Sequence, residues 1–190
     1  MDFYIFRHGE TPNNSRHIWQ GRTGNLDLNM KGILQARYLG LALQQKDIEV
    51  IVSSPMLRAI HTAHIVAKYC DVPVLIREDL QEADYGIADG ISFAKVKELF
   101  PDLYQKWVHP LPEYFDLGFE AGETMKMVLN RVFGVLEELS QSHRHKSIAI
   151  STHGGVMALI LSHLGVRDYW VNNGEYIHVQ RNHKGEYHLC

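Results

Sequence analysis

The sequence has little cysteine, little proline and no long apolar run. Its two cysteines, Cys70 and Cys190, cannot build a disulfide framework. The longest apolar stretch, around Val156 to Leu164, is far too short to span a bilayer. Met1 to Arg7 lacks the basic stretch and apolar core of a signal peptide, so a cytoplasmic location is expected. Excess charge is missing too. A net charge of -3 sets up no basic field to draw nucleic acid or a membrane surface, so any anion site must be a local concentration of cations. There are no repeats, low-complexity tracts or linkers. The 190 residues, 45% of them hydrophobic, therefore read as one domain over 1–190 with an ample core.

Several phosphoryl-transfer signatures are absent as well. No G-x-x-x-x-G-K-[ST] loop is present to cradle nucleotide phosphates. Cys70 has Ile76, not arginine, six positions on, which argues against a loop-bound cysteine nucleophile. No Asp-x-Asp pair follows the first apolar run to serve as nucleophile with magnesium.

What is present is an alternation of short apolar runs and helical periodicities. Phe3–Phe6, Val50–Val52, Val72–Ile76 and Ser147–Ser151 read as strands. Asn29 can cap a helix carrying Met30, Ile33, Leu34, Tyr38, Leu41 and Ala42 on one face. Ser53-Ser54-Pro55 reads as a cap and first-turn proline opening a helix to about Tyr69. Met125, Leu129, Val132, Leu136 and Leu139 mark a long amphipathic helix, and Gly154-Gly155 leads into an apolar one ending near Gly165. Residues 79–120 are irregular, punctuated by Pro101, Pro110 and Pro112, and the tail around Asn182 to Gly185 reads as a closing hairpin. The expected fold is a three-layer α/β/α sandwich with a mainly parallel central sheet.

In such a fold the carboxyl ends of the strands share one edge, where ligands bind. Arg7 and His8 follow the first strand, Arg58 lies in the first turn of the helix after the second, and His153 follows the fourth. Each alone is more often a solvated loop residue; together, in a chain of net negative charge, they predict an anion site. Gly9 lets the backbone approach closely. Gly154-Gly155 opens a helix whose free N–H groups and dipole favour an anion. Phosphate or a phosphate ester is the expected anion, and histidine is the strong nucleophile left beside the arginines.

These residues carry a resemblance. Arg7-His8-Gly9-Glu10-Thr11 is similar to the signature of the histidine phosphatase superfamily, the phosphoglycerate-mutase-like group. Leu28 to Ala36, Ser53 to Ala59, Leu80-Gln81-Glu82 with Tyr85-Gly86, Gly122-Glu123-Thr124 and Ser151 to Gly155 resemble its further motifs, in order along nearly the whole chain. The resemblance implies a two-histidine pocket that needs no metal and no cofactor. By it, His8 is the nucleophile, and Arg7, Arg58 and His153 neutralise the phosphoryl oxygens. Asn14, Gln20, Gly21 and Gly154 belong to the phosphate site, and Glu82 is general acid and then base, with Asp84 and Asp89 in reserve. It places Glu10 in loop structure rather than catalysis. The sequence departs from the family at Pro12-Asn13, in one extra residue between Gly21 and Leu28, and at Asp89-Gly90, all near the rim.

The remaining histidines invite caution. His61 and His64 sit three apart on a helix but have no third ligand at motif spacing. His143-Arg144-His145 favourably charges a helix C-terminus, and His163, His178, His183 and His188 are expected at the surface or on edge strands. The aromatics between Phe93 and Phe119 are open to two readings of equal weight, core or a cover over the pocket that contacts the rest of the substrate. Sparse cations there (Lys95, Lys97, Lys106, His109) favour a small monoester with an uncharged or aromatic remainder. The reading is a phosphomonoesterase, monomer or homodimer. A phosphoglycerate-type mutase and a non-catalytic phospho-ligand binding protein are the alternatives.

Overall fold

The computed structural model describes residues 1–142 and 144–190. Along the chain come β1 (Asp2–Arg7), α1 (Pro12–Ser15), α2 (Met30–Leu43), β2 (Val50–Ser53), α3 (Leu57–Cys70) and β3 (Val74–Ile76). Then follow α4 (Phe93–Leu99), α5 (Pro101–Val108), α6 (Met125–Gln141), β4 (Ser147–Thr152), α7 (Gly154–His163), β5 (Tyr176–Arg181) and β6 (Tyr187–Leu189). The strands form a sheet of order β3-β2-β4-β1-β5-β6. The first four run parallel, and β5 and β6 are antiparallel additions.

Period-two alternation sorts the strand side chains between two helix layers. Phe3, Ile5, Val50, Val52, Ile148 and Ile150 pack with residues of α6 and α7. Tyr4, Phe6, Ile51 and Ala149 face Leu39 and Leu43 of α2 and Ala63 and Val66 of α3. The result is the expected three-layer sandwich. After β1 the chain passes to the α2/α3 layer, and after the adjacent β4 it enters α7 on the other face. The crevice between these two strand ends is the switch point at which open α/β sheets bind ligands. Arg7 pairs with Thr152, so the residues that follow, His8 and His153, emerge side by side.

Three local expectations change. The helix after β2 begins at Leu57 rather than at Pro55, with Met56 as its cap residue and no side-chain cap. Ser54 is diverted, because its Oγ lies 2.7 Å from His153 Nε2 and accepts the Met56 N–H at 3.3 Å. Asn25 takes over the capping task, its Oδ1 accepting the Leu57 N–H at 2.9 Å. His178 is not on an edge strand: β5 lies inside the sheet, and the imidazole stacks on Tyr4 at 4.6 Å and meets Asp2 Oδ1 at 2.8 Å. His143 lies outside the described residues, and His145 Nδ1 approaches Glu49 Oε2 at 3.7 Å rather than the end of α6.

Gly32, which weakens the helical pattern of α2, has a packing reason. A Cβ there would lie 2.7 Å from the Glu10 backbone nitrogen, and one at Gly9 would lie 2.8 Å from the Gly32 carbonyl carbon. The paired glycines let the loop after β1 rest directly on the first turn of α2, which fixes the direction in which His8 leaves the strand.

Candidate active site

His8 is buried, 3% exposed, and held from several sides. Its backbone N–H donates to the Thr152 carbonyl at 3.1 Å, and its own carbonyl accepts from Asn173 Nδ2 at 3.0 Å. The imidazole Nδ1 lies 2.7 Å from the Gly9 carbonyl, which can only accept, so Nδ1 carries the proton and Nε2 keeps its lone pair. Burial first, then the Arg58 and Arg7 charges, pushes the His8 pKa well below the ordinary imidazole value. The ring is neutral, and its Nε2 is fixed in direction.

Arg58 is fully buried. Its Nε donates to His8 Nε2 at 3.2 Å and its Nη2 to the Gly21 carbonyl at 2.8 Å. Desolvation lowers its pKa to about 10, so it stays cationic at neutral pH. Arg7 donates from Nη1 to the Val171 carbonyl at 3.0 Å, and its guanidinium lies 5.1 Å from the Trp170 ring centroid. Gly154 makes room for it: a Cβ there would stand 3.0 Å from Arg7 Cζ. His153 faces His8 edge-on, with ring centroids 5.2 Å apart. The Ser54 hydroxyl proton has no other acceptor among the described residues, so it is assigned to His153 Nε2, which leaves the proton of the neutral ring on Nδ1. Burial and the Arg58 charge hold His153 well below its usual pKa. This corrects the expectation of a cation at each strand end. The positive charge here is that of Arg7 and Arg58, and His153 offers a neutral N–H.

Among the described residues, buried Arg7 Nε, Arg58 Nη1 and His153 Nδ1 have no hydrogen-bond partner. Each such donor costs on the order of 1–3 kcal/mol if left unsatisfied. All three belong to groups gathered about His8: Arg7 lines the same cleft as His8, while Arg58 and His153 pack against His8 without being part of that lining.

Glu82 is 5% exposed, in the turn after β3. Its Oε1 accepts N–H groups from Ala83 at 2.9 Å and Val156 at 3.2 Å, and its Oε2 accepts from Gly155 at 2.9 Å. The first-turn amides of α7 that sequence reasoning reserved for the substrate anion thus hold this carboxylate. Burial raises its pKa and outweighs these N–H groups and the Arg58 and Arg7 charges, which act to lower it. A carboxyl group that can carry a proton nearer neutrality results. Asp84 and Asp89 are committed elsewhere: Asp84 Oδ1 accepts from Gly86, and Asp89 accepts from the Gly21 and Thr23 amides.

Arg7, His8, Asn14, Gln20, Glu82 and Gly154 line one cleft of about 50 Å³, room for little more than a phosphoryl group. Asn14 reaches it from α1, where its Oδ1 accepts from Thr11 and from Asn173 Nδ2. Gln20 lies at the wall with both ends of its amide engaged, by Thr11 Oγ1 and by the Gly24 carbonyl. Gly21 stands behind the cleft and acts through its carbonyl on Arg58. Sequence reasoning missed Ser54, Thr62, Asn173 and Trp170. Thr62 Oγ1 accepts the Gly9 N–H and donates to the Arg58 carbonyl, which ties the β1 loop to α3. The segment 93–119 serves both purposes foreseen for it, since Val96 and Phe119 are core while Phe93 and Val108 line the cleft, and Trp107 does both.

Glu10 binds Asn29 and Lys31 at the start of α2, as its loop role required. His61 pairs with Asp27 at 2.7 Å on the surface. Among the described residues no three His, Cys, Asp or Glu side chains gather to hold a metal ion. None of the described helices is long and apolar enough to cross a membrane.

Comparison with known proteins places this arrangement. The chain is 31% identical over 163 residues to phosphoserine phosphatase 1 of Hydrogenobacter thermophilus, covering 85% of this chain and 75% of that protein. Its structure superposes on the α-ribazole phosphatase from Shigella flexneri with TM-score 0.80 at 25% identity, covering 100% of this chain and 95% of the other. A mycobacterial glucosyl-3-phosphoglycerate phosphatase shares the fold with TM-score 0.87 at 22% identity, over 100% and 96% of the two chains. The family model of the histidine phosphatase superfamily, branch 1, matches residues 3–185, and the chain belongs to that superfamily.

Proposed function

We propose that the chain hydrolyses the phosphate monoester of a small molecule through a phosphohistidine on His8, without a metal. The observation that carries this reading is the trio of unpartnered buried nitrogens beside a neutral imidazole whose Nε2 lone pair is directed by the Gly9 carbonyl. A phosphoryl group in the cleft would satisfy Arg7 Nε, Arg58 Nη1 and His153 Nδ1 with its equatorial oxygens, and Asn14 would assist. His8 Nε2 forms the bond to phosphorus as the ester oxygen departs with the bonding pair and takes the proton from Glu82. Water then attacks the phosphohistidine, Glu82 takes its proton, and His8 leaves with the electrons of the N–P bond. The two arginines supply the charge that a metal would supply elsewhere.

The rest of the cleft indicates the rest of the ester. Its other walls are Ile18, Trp19, Tyr85, Phe93, Trp107, Val108 and Trp170, which present rings and aliphatic surface. Lys95 pairs with Glu98, and Lys106 lies over Tyr114, both away from the cleft. An adjoining cavity of about 370 Å³ shares Val108 and Trp170 with it and is also lined by His109, Arg167 and Asp168, of which His109 lies 3.6 Å from Asp168. The walls of the cleft itself suit an uncharged, partly apolar group next to the phosphoryl, and the charged side chains stand beyond it in the adjoining cavity. The named relatives act on different esters, so their names fix the reaction and not this substrate. The named relatives are phosphatases, which favours hydrolysis over return of the phosphoryl group to a second hydroxyl. The cytoplasm is the location that fits free Cys70 and Cys190.

The test is phosphate release from a panel of monoesters, with and without excess chelator. Turnover favouring uncharged aryl or alkyl remainders and indifferent to chelation supports the reading. Loss on chelation restored by a divalent ion, or turnover only of bisphosphates, contradicts it.

A further inference from the structure

Behind Glu82, on the side away from the cleft, lies a cluster of charges with no part in phosphate binding. Arg131, near the middle of α6, donates from Nη1 to the carbonyls of Asp79 and Gln81, both at 2.7 Å, and from Nη2 to the carbonyl of Glu82 at 3.1 Å. Arg22 donates from Nε to the same Glu82 carbonyl at 3.0 Å. Glu123 joins the two guanidinium groups. It takes Arg131 Nε at 3.0 Å and Nη2 at 3.0 Å, Arg22 Nη2 at 2.8 Å, and the Asp84 amide at 3.1 Å. The side chains of Arg131 and Glu123 are each 13% exposed. These are charge-assisted bonds in a poorly solvated place, where they are stronger and more directional than at the surface.

The arrangement does more than tie a turn to a helix. One planar guanidinium spans carbonyls of the whole 79–82 turn, and a second meets it on the last of them. Two cations therefore fix the peptide from which the Glu82 side chain departs. Arg22 is also the neighbour of Gly21, whose carbonyl anchors Arg58. The Arg58 anchor is the Gly21 backbone and not the Arg22 side chain, so removing that side chain acts on the Glu82 turn and leaves the anchor in place. We propose that Arg22, Glu123 and Arg131 are positioning residues that hold the Glu82 carboxyl in reach of the leaving oxygen by clamping its backbone carbonyl. The proposal rests on the assignment of Glu82 as the acid. A displaced donor does not affect phosphate binding. It costs rate in proportion to how much the leaving oxygen needs a proton.

That dependence gives a readout no general loss of structure would mimic. The variants are Arg22→Met, at a side chain 32% exposed and so tolerant of change, and Arg131→Lys, a point charge that cannot reproduce the fork. Each is assayed with nitrophenyl phosphate, whose leaving group departs without help, and with a simple alkyl phosphate, whose leaving group does not. Glu82→Gln runs beside them. Misplacing the donor by ~1 Å should cost the alkyl ester about 10- to 100-fold in kcat/KM, with little change for the nitrophenyl ester or in inhibition by phosphate. Arg131→Lys should be the more selective, since it loses contacts to three carbonyls. If Glu82→Gln is selective and both arginine variants slow the two esters equally, the network is only structural and the positioning role is wrong. If Glu82→Gln is itself not selective, the acid assignment falls and takes the positioning role with it. Should Arg131→Lys fail to fold, Arg22→Met decides alone.

Discussion

Replacing Gly155 with alanine sets two effects of opposite sign against each other. Gly155 is in the first turn of α7, and alanine within a helix is ordinarily worth about 1 kcal/mol over glycine. Propensity alone predicts a more stable protein. The added Cβ, however, would stand 2.7 Å from Glu82 Oε1, 3.2 Å from its Cδ, and closer still to the Tyr85 hydroxyl. Neither neighbour can yield cheaply. Tyr85 is boxed in by Trp19 at 5.3 Å and Trp107 at 5.0 Å between ring centroids. Glu82 is held by three backbone N–H groups, one of them from Gly155 itself. Overpacking of this kind costs about 1–3 kcal/mol, so crowding should outweigh propensity. The expected outcome is a net loss of up to about 2 kcal/mol, or up to roughly 8 °C in Tm for a chain of this length. Displacement of the carboxyl by ~1 Å should also lower kcat/KM for an alkyl phosphate by about 100-fold. Thermal unfolding followed by circular dichroism, together with steady-state kinetics, measures both. A variant that melts higher than the parent and turns over normally would refute the placement of Glu82 against the start of α7.

Two further outcomes follow from the site. Burial raises the Glu82 pKa above its ordinary value of 4.5, so the folded protein holds this proton more tightly than the unfolded chain does. Its contribution to stability is therefore fully present below about pH 4.5 and is lost as pH rises through the raised folded value. Denaturant unfolding across that range should show the stability of the parent falling relative to Glu82→Gln as pH increases; a parent that gains stability relative to Glu82→Gln as pH increases contradicts the assignment. Vanadate, which takes up trigonal-bipyramidal geometry, should inhibit more tightly than sulfate because the unpartnered donors suit the transition state. Equal inhibition constants would mean that these donors are not built for in-line transfer at phosphorus.

The parts of the site legible in the sequence were those in which a residue type and its place at a strand end already carry the chemistry. Arg7-His8 after β1, Arg58 at the start of α3 and His153 after β4 needed only the parallel sheet to bring them together. The parts that were not legible depend on partners far away in the chain. Ser54 reads as a helix cap, but His153, 99 residues on, claims its hydroxyl and moves the start of α3. The open amides of α7 read as a phosphate site, and Glu82, more than seventy residues earlier, occupies them. Arg131 shows only as a polar residue on an amphipathic helix, because its acceptors are backbone carbonyls that have no sequence signature. His153 reads as a cation in the sequence because position reveals charge type but not desolvation, which holds its pKa well below the usual imidazole value.

The central claim is that the phosphoryl group passes through His8 and that Glu82 serves both proton transfers. Rapid acid-free quench of the parent, His8→Ala and Glu82→Gln with a radiolabelled aryl phosphate tests it most directly. The account predicts an acid-labile, base-stable phosphoenzyme in the parent, none in His8→Ala, and accumulation in Glu82→Gln, whose amide cannot activate water for the second step. A phosphoenzyme that survives in His8→Ala, or an aryl ester hydrolysed by Glu82→Gln at the parent rate with no intermediate trapped, would contradict it.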